Sequence, residues 1–412
     1  MDVSPLLIRG ARVVDPVAGI DGTADILLRD RKVAELGGRL DGAGAEVVDG
    51  SGLVAAPGLI DAGVFRPDPA ASLAGGITRV VLMPDQSPPL DDPAVIDRAQ
   101  RIGKPHVWVH PLAAATRGLK GHDLAEIGLM REAGAVGVAT GRHAIPATDT
   151  MYRLLQYAAG FDLVTVTHAE DPALAGPAAA TNGETATRLG LPAAPPIAEA
   201  LAVARDIRLA EATGARLHIR IVSLAESLEI VRRAKDRGVR VTCGTTPAHA
   251  LLNDGEMSGY RTFARLSPPL PSDEDRTAIV EGLCDGTIDV LSSGHDPRTI
   301  EEKRLPFALA APGVAGLETL LPLALAAVRE KAGLARVIEL ISAAPARIFG
   351  LPGGSLAKGG PADVTLFSAD EAWRIDANRF GHAAGNTPFD RLPVAGRVKM
   401  TIKGGEAVYR SD

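Results

Sequence analysis

The stretch Ala56-Pro-Gly-Leu-Ile-Asp-Ala-Gly-Val-Phe-Arg66 decides how the rest of the chain is read. A Pro-Gly turn launches a short apolar strand, Leu59–Ile60, that ends in an acid, Asp61. Residues two apart on a strand face the same way, so two such positions just beyond the acid share one face. Those two positions are Gly63 and Phe65 here, and neither side chain can donate an electron pair to a metal.

Outward from this strand, the chain divides by texture. Before it, Leu6–Val14 predicts a strand with a turn near Gly10, Ala24–Leu28 and Lys32–Leu36 predict a hairpin about Arg29-Asp30-Arg31, and Glu46–Asp49 and Leu53–Ala55 predict short strands. The far end has the same character at Ala362–Phe367, Val394–Ile402 and Ala407–Tyr409. Chain termini often lie close together, so residues 1–56 and 358–412 are expected to build one small β-sandwich-like domain. Between them, apolar strands at Arg79–Met83, His106–His110, Val136–Val138, Leu163–His168, Leu217–Val222, Arg240–Cys243 and Asp289–Ser293 alternate with helical patterns. With the Leu59–Asp61 strand this makes eight β/α units, which predicts a distorted TIM-type (β/α)8 barrel over residues 57–357.

Composition bounds the function. The 412 residues are 46% hydrophobic and 23% charged, the profile of a globular α/β protein, and with 3% aromatics the core must be Ala, Val, Leu and Ile. A net charge of −6 without any basic run argues against nucleic acid. No apolar run, including those within Leu317–Val328, is long enough to span a bilayer. Two cysteines, Cys243 and Cys284, and an N-terminus without a signal-peptide pattern point to a cytoplasmic protein with reduced thiols.

The landmarks then fall into a familiar order. Pro57-Gly-Leu-Ile-Asp61, Gly75-Gly-Ile-Thr-Arg-Val-Val-Leu-Met-Pro84, Thr167-His-Ala-Glu-Asp171, Leu266-Ser-Pro-Pro-Leu270, Glu281-Gly-Leu-Cys-Asp-Gly-Thr-Ile-Asp289, Gly316-Leu-Glu-Thr319 and Gly385-Asn-Thr-Pro-Phe-Asp390 run from the first strand to the last. Together they resemble the dihydroorotase family of the amidohydrolase superfamily. The resemblance implies a barrel whose mouth, in active members, holds one or two zinc ions that activate water against a cyclic amide, with an Asp as proton shuttle.

Most of that equipment is absent. The resemblance implies histidines where Gly63, Phe65 and Ile221 stand, a bridging acid or lysine among Val138, Ala139, Thr140 and Gly141, and an aspartate where Gly294 stands. Only His168 occupies a matching ligand position, and one histidine cannot hold zinc. The substrate grips are also altered: Arg66 matches with a one-residue shift, Asp85 replaces an asparagine and would repel an anion, and Ser267 and Pro271 replace an asparagine and an arginine. Arg66, Asp85 and His295 are the candidate substrate-binding residues. His295 with Asp296 and Arg298 is either a new catalytic cluster or a solvated loop or interface, and Thr116–Gly121 is an anion loop or a solvated turn. Phe65 is expected to plug the space of the metal, leaving a site tuned for packing rather than charge.

The expectation is therefore a dihydroorotase-like protein of pyrimidine biosynthesis that lacks catalysis and a metal cofactor. It would act as a structural or regulatory oligomeric partner of an aspartate carbamoyltransferase-type subunit, as the resemblance to non-catalytic members implies. The alternative is an active zinc-dependent cyclic amidohydrolase drawing on His168, His249, His295 and Asp296; a metal-free ligand sensor is a third reading. One architectural departure adds a further expectation. The segment Pro67–Ala74 is too short for the helix that the resemblance places there, so that side of the barrel is exposed as a protein-binding face or refilled.

Overall fold

A computed structural model describes residues 4–380 and 385–411; Met1–Val3, with which the N-terminal reading began, lie outside the described residues. Eight parallel strands form the barrel: β1 (Leu59–Val64), β2 (Ile77–Leu82), β3 (Trp108–Ala114), β4 (Gly137–Ala139), β5 (Val164–Thr167), β6 (Arg216–Ile219), β7 (Val241–Thr245) and β8 (Val290–Leu291), each paired with the next. The eight expected strands are all present, with helices such as Ile197–Thr213, Ala225–Asp236 and Asp273–Asp285 between them.

Period-two alternation explains how so aliphatic a sequence fills two layers. Ile60, Ala62, Phe65, Val81 and Met83 belong to an inner cluster with Val164, Val166 and Phe349. Leu59, Val64, Val80 and Leu82, between them in sequence, join the outer cluster shared with the helices. The seam between β8 and β1 closes through side-chain and backbone bonds just beyond the strands. The Asp61 carboxylate accepts from the Ser293 amide at 2.9 Å and from the Ser293 hydroxyl, and the Phe65 amide donates to the His295 carbonyl at 2.9 Å.

A second eight-stranded sheet draws its strands from both ends of the chain. Val364–Arg374 pairs antiparallel with Val54–Pro57, which lies parallel to Leu6–Asp15. The hairpin joining Ile20–Arg29 to Lys32–Gly37 turns on Asp30 and Arg31, both left-handed (φ 51° and 62°), the two-residue geometry that matches strand twist. Gly10 does not turn the chain: it sits in a bulge where the register slips between Ile8 and Ala11, and the strand continues.

The Pro67–Ala74 segment corrects the sequence reading. A short helix does form, Pro69–Ala74, with the Asp68 carboxylate capping the Ala71 amide. Leu73 is only 6% exposed, and its carbonyl accepts from the Thr401 hydroxyl at 2.7 Å. The strands Pro393–Lys403 and Glu406–Arg410 pack on this helix. The chain packs its own C-terminal hairpin against that side.

Candidate functional site at the barrel mouth

The C-terminal ends of the strands carry the chemistry in barrels of this kind, because there the loops converge on side chains fixed by the strands. In this chain a cavity of about 90 Å³ opens at that end, lined by Phe65, Arg142, Arg220, Ile221, Thr246 and Asp296 among others. Phe65 is 6% exposed and forms part of the cavity wall. The expectation of a site built for packing rather than charge fails, however. The guanidinium carbon of Arg142 lies 4.1 Å from the Phe65 ring centroid and that of Arg220 lies 5.1 Å from it, both within cation–π range.

Arg142 is held by two carboxylates. Its Nη2 and Nε donate to Asp296 at 2.8 and 3.1 Å, and its backbone amide donates to Asp85 at 3.0 Å, with Nη1 3.5 Å from the same oxygen. Asp296 also takes Arg298 at 2.6 Å. Asp85 is thus compensated by Arg142, and the expected repulsion of an anion by a bare carboxylate is removed. Arg220, at the end of β6, is placed differently. It is 6% exposed and its Nη2 meets His168 Nδ1 at 3.2 Å. Burial and the nearby Arg142 lower its pKa to about 10, against the pull of Asp85 and Asp296.

His168 is fixed by these partners. A guanidinium has no acceptor, so Nδ1 must be the acceptor and Nε2 carries the proton, which points to Glu170 at 3.2 Å. Burial lowers the imidazole's pKa, consistent with this neutral tautomer. His249 is likewise committed: Thr246 Oγ1 lies 2.7 Å from Nδ1, and Nε2 donates to the Pro268 carbonyl at 3.1 Å, with burial pulling its pKa to about 4.

The remaining candidates disperse. Arg66 is exposed and is not among the cavity's lining residues. His295 is fully buried, not on a solvated loop; its carbonyl and amide serve the barrel seam and its Nδ1 accepts from Gly316. In the Thr116–Gly121 loop, Arg117 pairs with Glu126 at 3.1 Å and the Gly118 amide with Asp91 at 2.7 Å, so its main donors are occupied by acids. Cys243 is buried and its thiol pKa is pushed up by burial, the behaviour of a small core residue.

The donor set does not fit zinc. Among the described residues no three His, Cys, Asp or Glu side chains converge as a metal site. His168, His249, His295 and Asp296, the set proposed for an active enzyme, therefore do not assemble. The backbone is set against ligands as well: Gly63, Gly141 and Gly294 have φ of 103°, 82° and 66°, a region that disfavours side chains. A Cβ at Gly141 would come within 2.8 Å of Asp85, and one at Gly294 within 3.0 Å of Thr246. Sequence reasoning gave Arg220 no part and passed over Arg142. The available signal was a charge directly following the strand segment Leu217-His-Ile219.

With this geometry in place, similarity to known proteins can be judged against it. A dihydro-orotase-like family model matches residues 56–227. The dihydroorotase of Syntrophotalea carbinolica is 42% identical over 422 residues, covering 98% of this chain and 99% of its own. That of Pelotomaculum thermopropionicum is 42% identical over 421 residues, at 98% of each chain. Among solved structures, the L-hydantoinase (dihydropyrimidinase) of Arthrobacter aurescens superposes with a TM-score of 0.88 at 25% identity, covering 100% of this chain and 96% of its own. Likeness of this depth over nearly the whole length, on a barrel whose mouth has been rebuilt with arginines, makes the chain a member of the dihydroorotase family.

Proposed function

We propose that this protein is a dihydroorotase-like component of pyrimidine biosynthesis that does not hydrolyse the dihydroorotate ring and serves as a structural or regulatory partner of an aspartate carbamoyltransferase-type subunit. Family membership supports the pathway. The observation that carries the loss of catalysis is the pair of guanidiniums over Phe65. Two cations and an aromatic ring take up the mouth, where hydrolysis needs a metal-activated water and a free carboxylate to move its proton. A cation there would meet Arg142 and Arg220 at close range, and no residue at Gly294 can accept the proton.

What remains useful is the scaffold. The seam through Asp61 and the Arg79–Asp363 pair tie the barrel to itself and to the sheet built from both termini, a framework that suits an assembly role. Metal analysis and a dihydroorotate hydrolysis assay on the purified protein test the first half of the reading. Less than stoichiometric zinc and no turnover above background are expected, also after Gly63→His with Phe65→His, since Gly63 is left-handed and Gly294 still lacks a carboxylate. One or two zinc ions per chain with turnover would overturn it. Co-expression with the transcarbamoylase tests the second half: a complex that survives gel filtration is expected, and separate elution would sink the partner role.

A further inference from the structure

The mouth contains one charge that the fold leaves without a counter-ion. Arg79, Arg142 and Arg298 each hold a carboxylate at 2.6–2.8 Å. Arg220 is as buried as Arg79, yet among the described residues no Asp or Glu oxygen lies within the 4.0 Å that defines an ion pair around it. Its contact is the neutral His168, and its Nε is buried with no hydrogen-bond partner. A buried, unpaired guanidinium is costly, and native structures seldom keep one without a purpose. Nearby, Asp85 and Asp296 are taken by Arg142 and Arg298, and Glu302 lies 3.8 Å from Arg298, so none of these three acids pairs with Arg220. Glu170 is turned to the far side of His168. The missing partner is one negative charge.

We propose that the barrel mouth binds a small organic carboxylate, its charge taken by the Arg220 fork and its carbon body by the wall of Phe65, Ile221, Leu266 and Val314. This rests on the reading of the mouth as metal-free. A carboxylate matches the planar fork in geometry and supplies the single charge that Arg220 lacks. The apolar wall selects an organic acid over a bare inorganic ion, and about 90 Å³ limits it to a few heavy atoms. The occupant would neutralise a charge that now costs stability, so occupancy should tighten the mouth and the loops that carry Arg142 and Asp296.

The full-length protein, with zinc measured on the same sample, is titrated with sodium propionate, with uncharged propionamide and with sodium chloride at matched ionic strength. Melting temperature and the arginine Nε–H resonances are followed. Propionate is expected to raise the Tm saturably and to move the Nε–H resonance that contacts the Phe65 ring, whereas propionamide and chloride do neither. Arg220→Lys, which keeps the charge and loses the fork, should bind roughly 10- to 100-fold more weakly. Should that variant not fold, the resonance shift in the unsubstituted protein decides. Equal responses to propionate and propionamide, an equal response to chloride, or unchanged affinity in Arg220→Lys overturns the site. Zinc in the sample with a propionate response traced to Arg220 would end the metal-free reading and leave the anion site standing; no zinc and no response would end the anion site alone.

Discussion

Two arginines lie at opposite ends of the same barrel, and they are handled in opposite ways. At the floor, Arg79 on β2 meets Asp363 at 2.6 Å, stacks near Trp108 and contacts His110, with the partner carboxylate also taking the Gly404 amide. This ion pair ties the barrel to the sheet built from both termini. At the mouth, Arg220 is equally buried and has an imidazole and a ring for company, but no carboxylate. The floor of such a barrel is where charge is spent on holding elements together, and the mouth is where charge is left available. The comparison teaches that the mouth, with no metal-binding donor at Gly63, Phe65, Ile221 or Gly294, is still not ordinary core. An apolar refill would have been the simpler route to stability, because well-packed hydrophobic residues usually match or exceed a buried charge.

The largest expected effect tests the floor. Asp363→Ala leaves Arg79 buried and uncompensated, and should cost roughly 3–5 kcal/mol in denaturant unfolding. A loss below 1 kcal/mol would mean that the pair is solvated and the contrast between floor and mouth is false. The next tests the mouth. Phe65→Ala empties a site walled on one side by a cavity and on the other by the inner cluster, and should cost about 3 kcal/mol, the low end of the usual range because the adjoining space can admit water. It should also shift both arginine side-chain resonances. A change in neither would place the ring outside the stack.

The smallest effect is one of pH, and it asks whether buried charge near the mouth is also held neutral. Glu199 accepts from the Ser223 and Leu224 amides and the Ser223 hydroxyl, yet burial raises its pKa to about 7 from 4.5. Its folded pKa lies above its unfolded one, so the stability it contributes is fully present below about 4.5 and is lost as pH rises through about 7. Glu199→Gln imitates the neutral acid and should be relatively more stable at pH 8 than at pH 5 when compared with the unsubstituted protein. An unchanged difference across that range would show that Glu199 is ionised throughout. The comparison between variants matters because His249, with its pKa near 4, drives stability in the opposite direction over part of the same window.

Much of this was legible in the residues alone. Eight apolar runs separated by helical patterns specified the barrel, because strand and helix impose different periods on where apolar residues must fall. The absence of ligands at Gly63, Phe65, Ile221 and Gly294 is a statement about side-chain chemistry and needs no coordinates. What failed was whatever depended on which distant segments meet. The side at Pro67–Ala74 was read as either exposed or refilled, and the choice rests on Thr401 and its strand, over 300 residues later, which cover Leu73. His295 was weighed as a solvated loop residue, yet its backbone helps close the barrel against Phe65.

The sequence by itself determined the barrel, the pairing of its two ends into one sheet and the lack of metal-binding donors at Gly63, Phe65, Ile221 and Gly294, since local periodicity and side-chain donor chemistry are properties of short stretches. Only the tertiary structure decided what fills the mouth. Arg142 follows β4 and Arg220 follows β6, 78 positions apart in the chain. They reach one aromatic ring on a third segment because barrel closure brings the strand ends to a common mouth. Which of two buried arginines receives a carboxylate is likewise set by the seam and the sheet packing, through contacts whose partners lie scores to hundreds of residues away, and no local pattern encodes that choice.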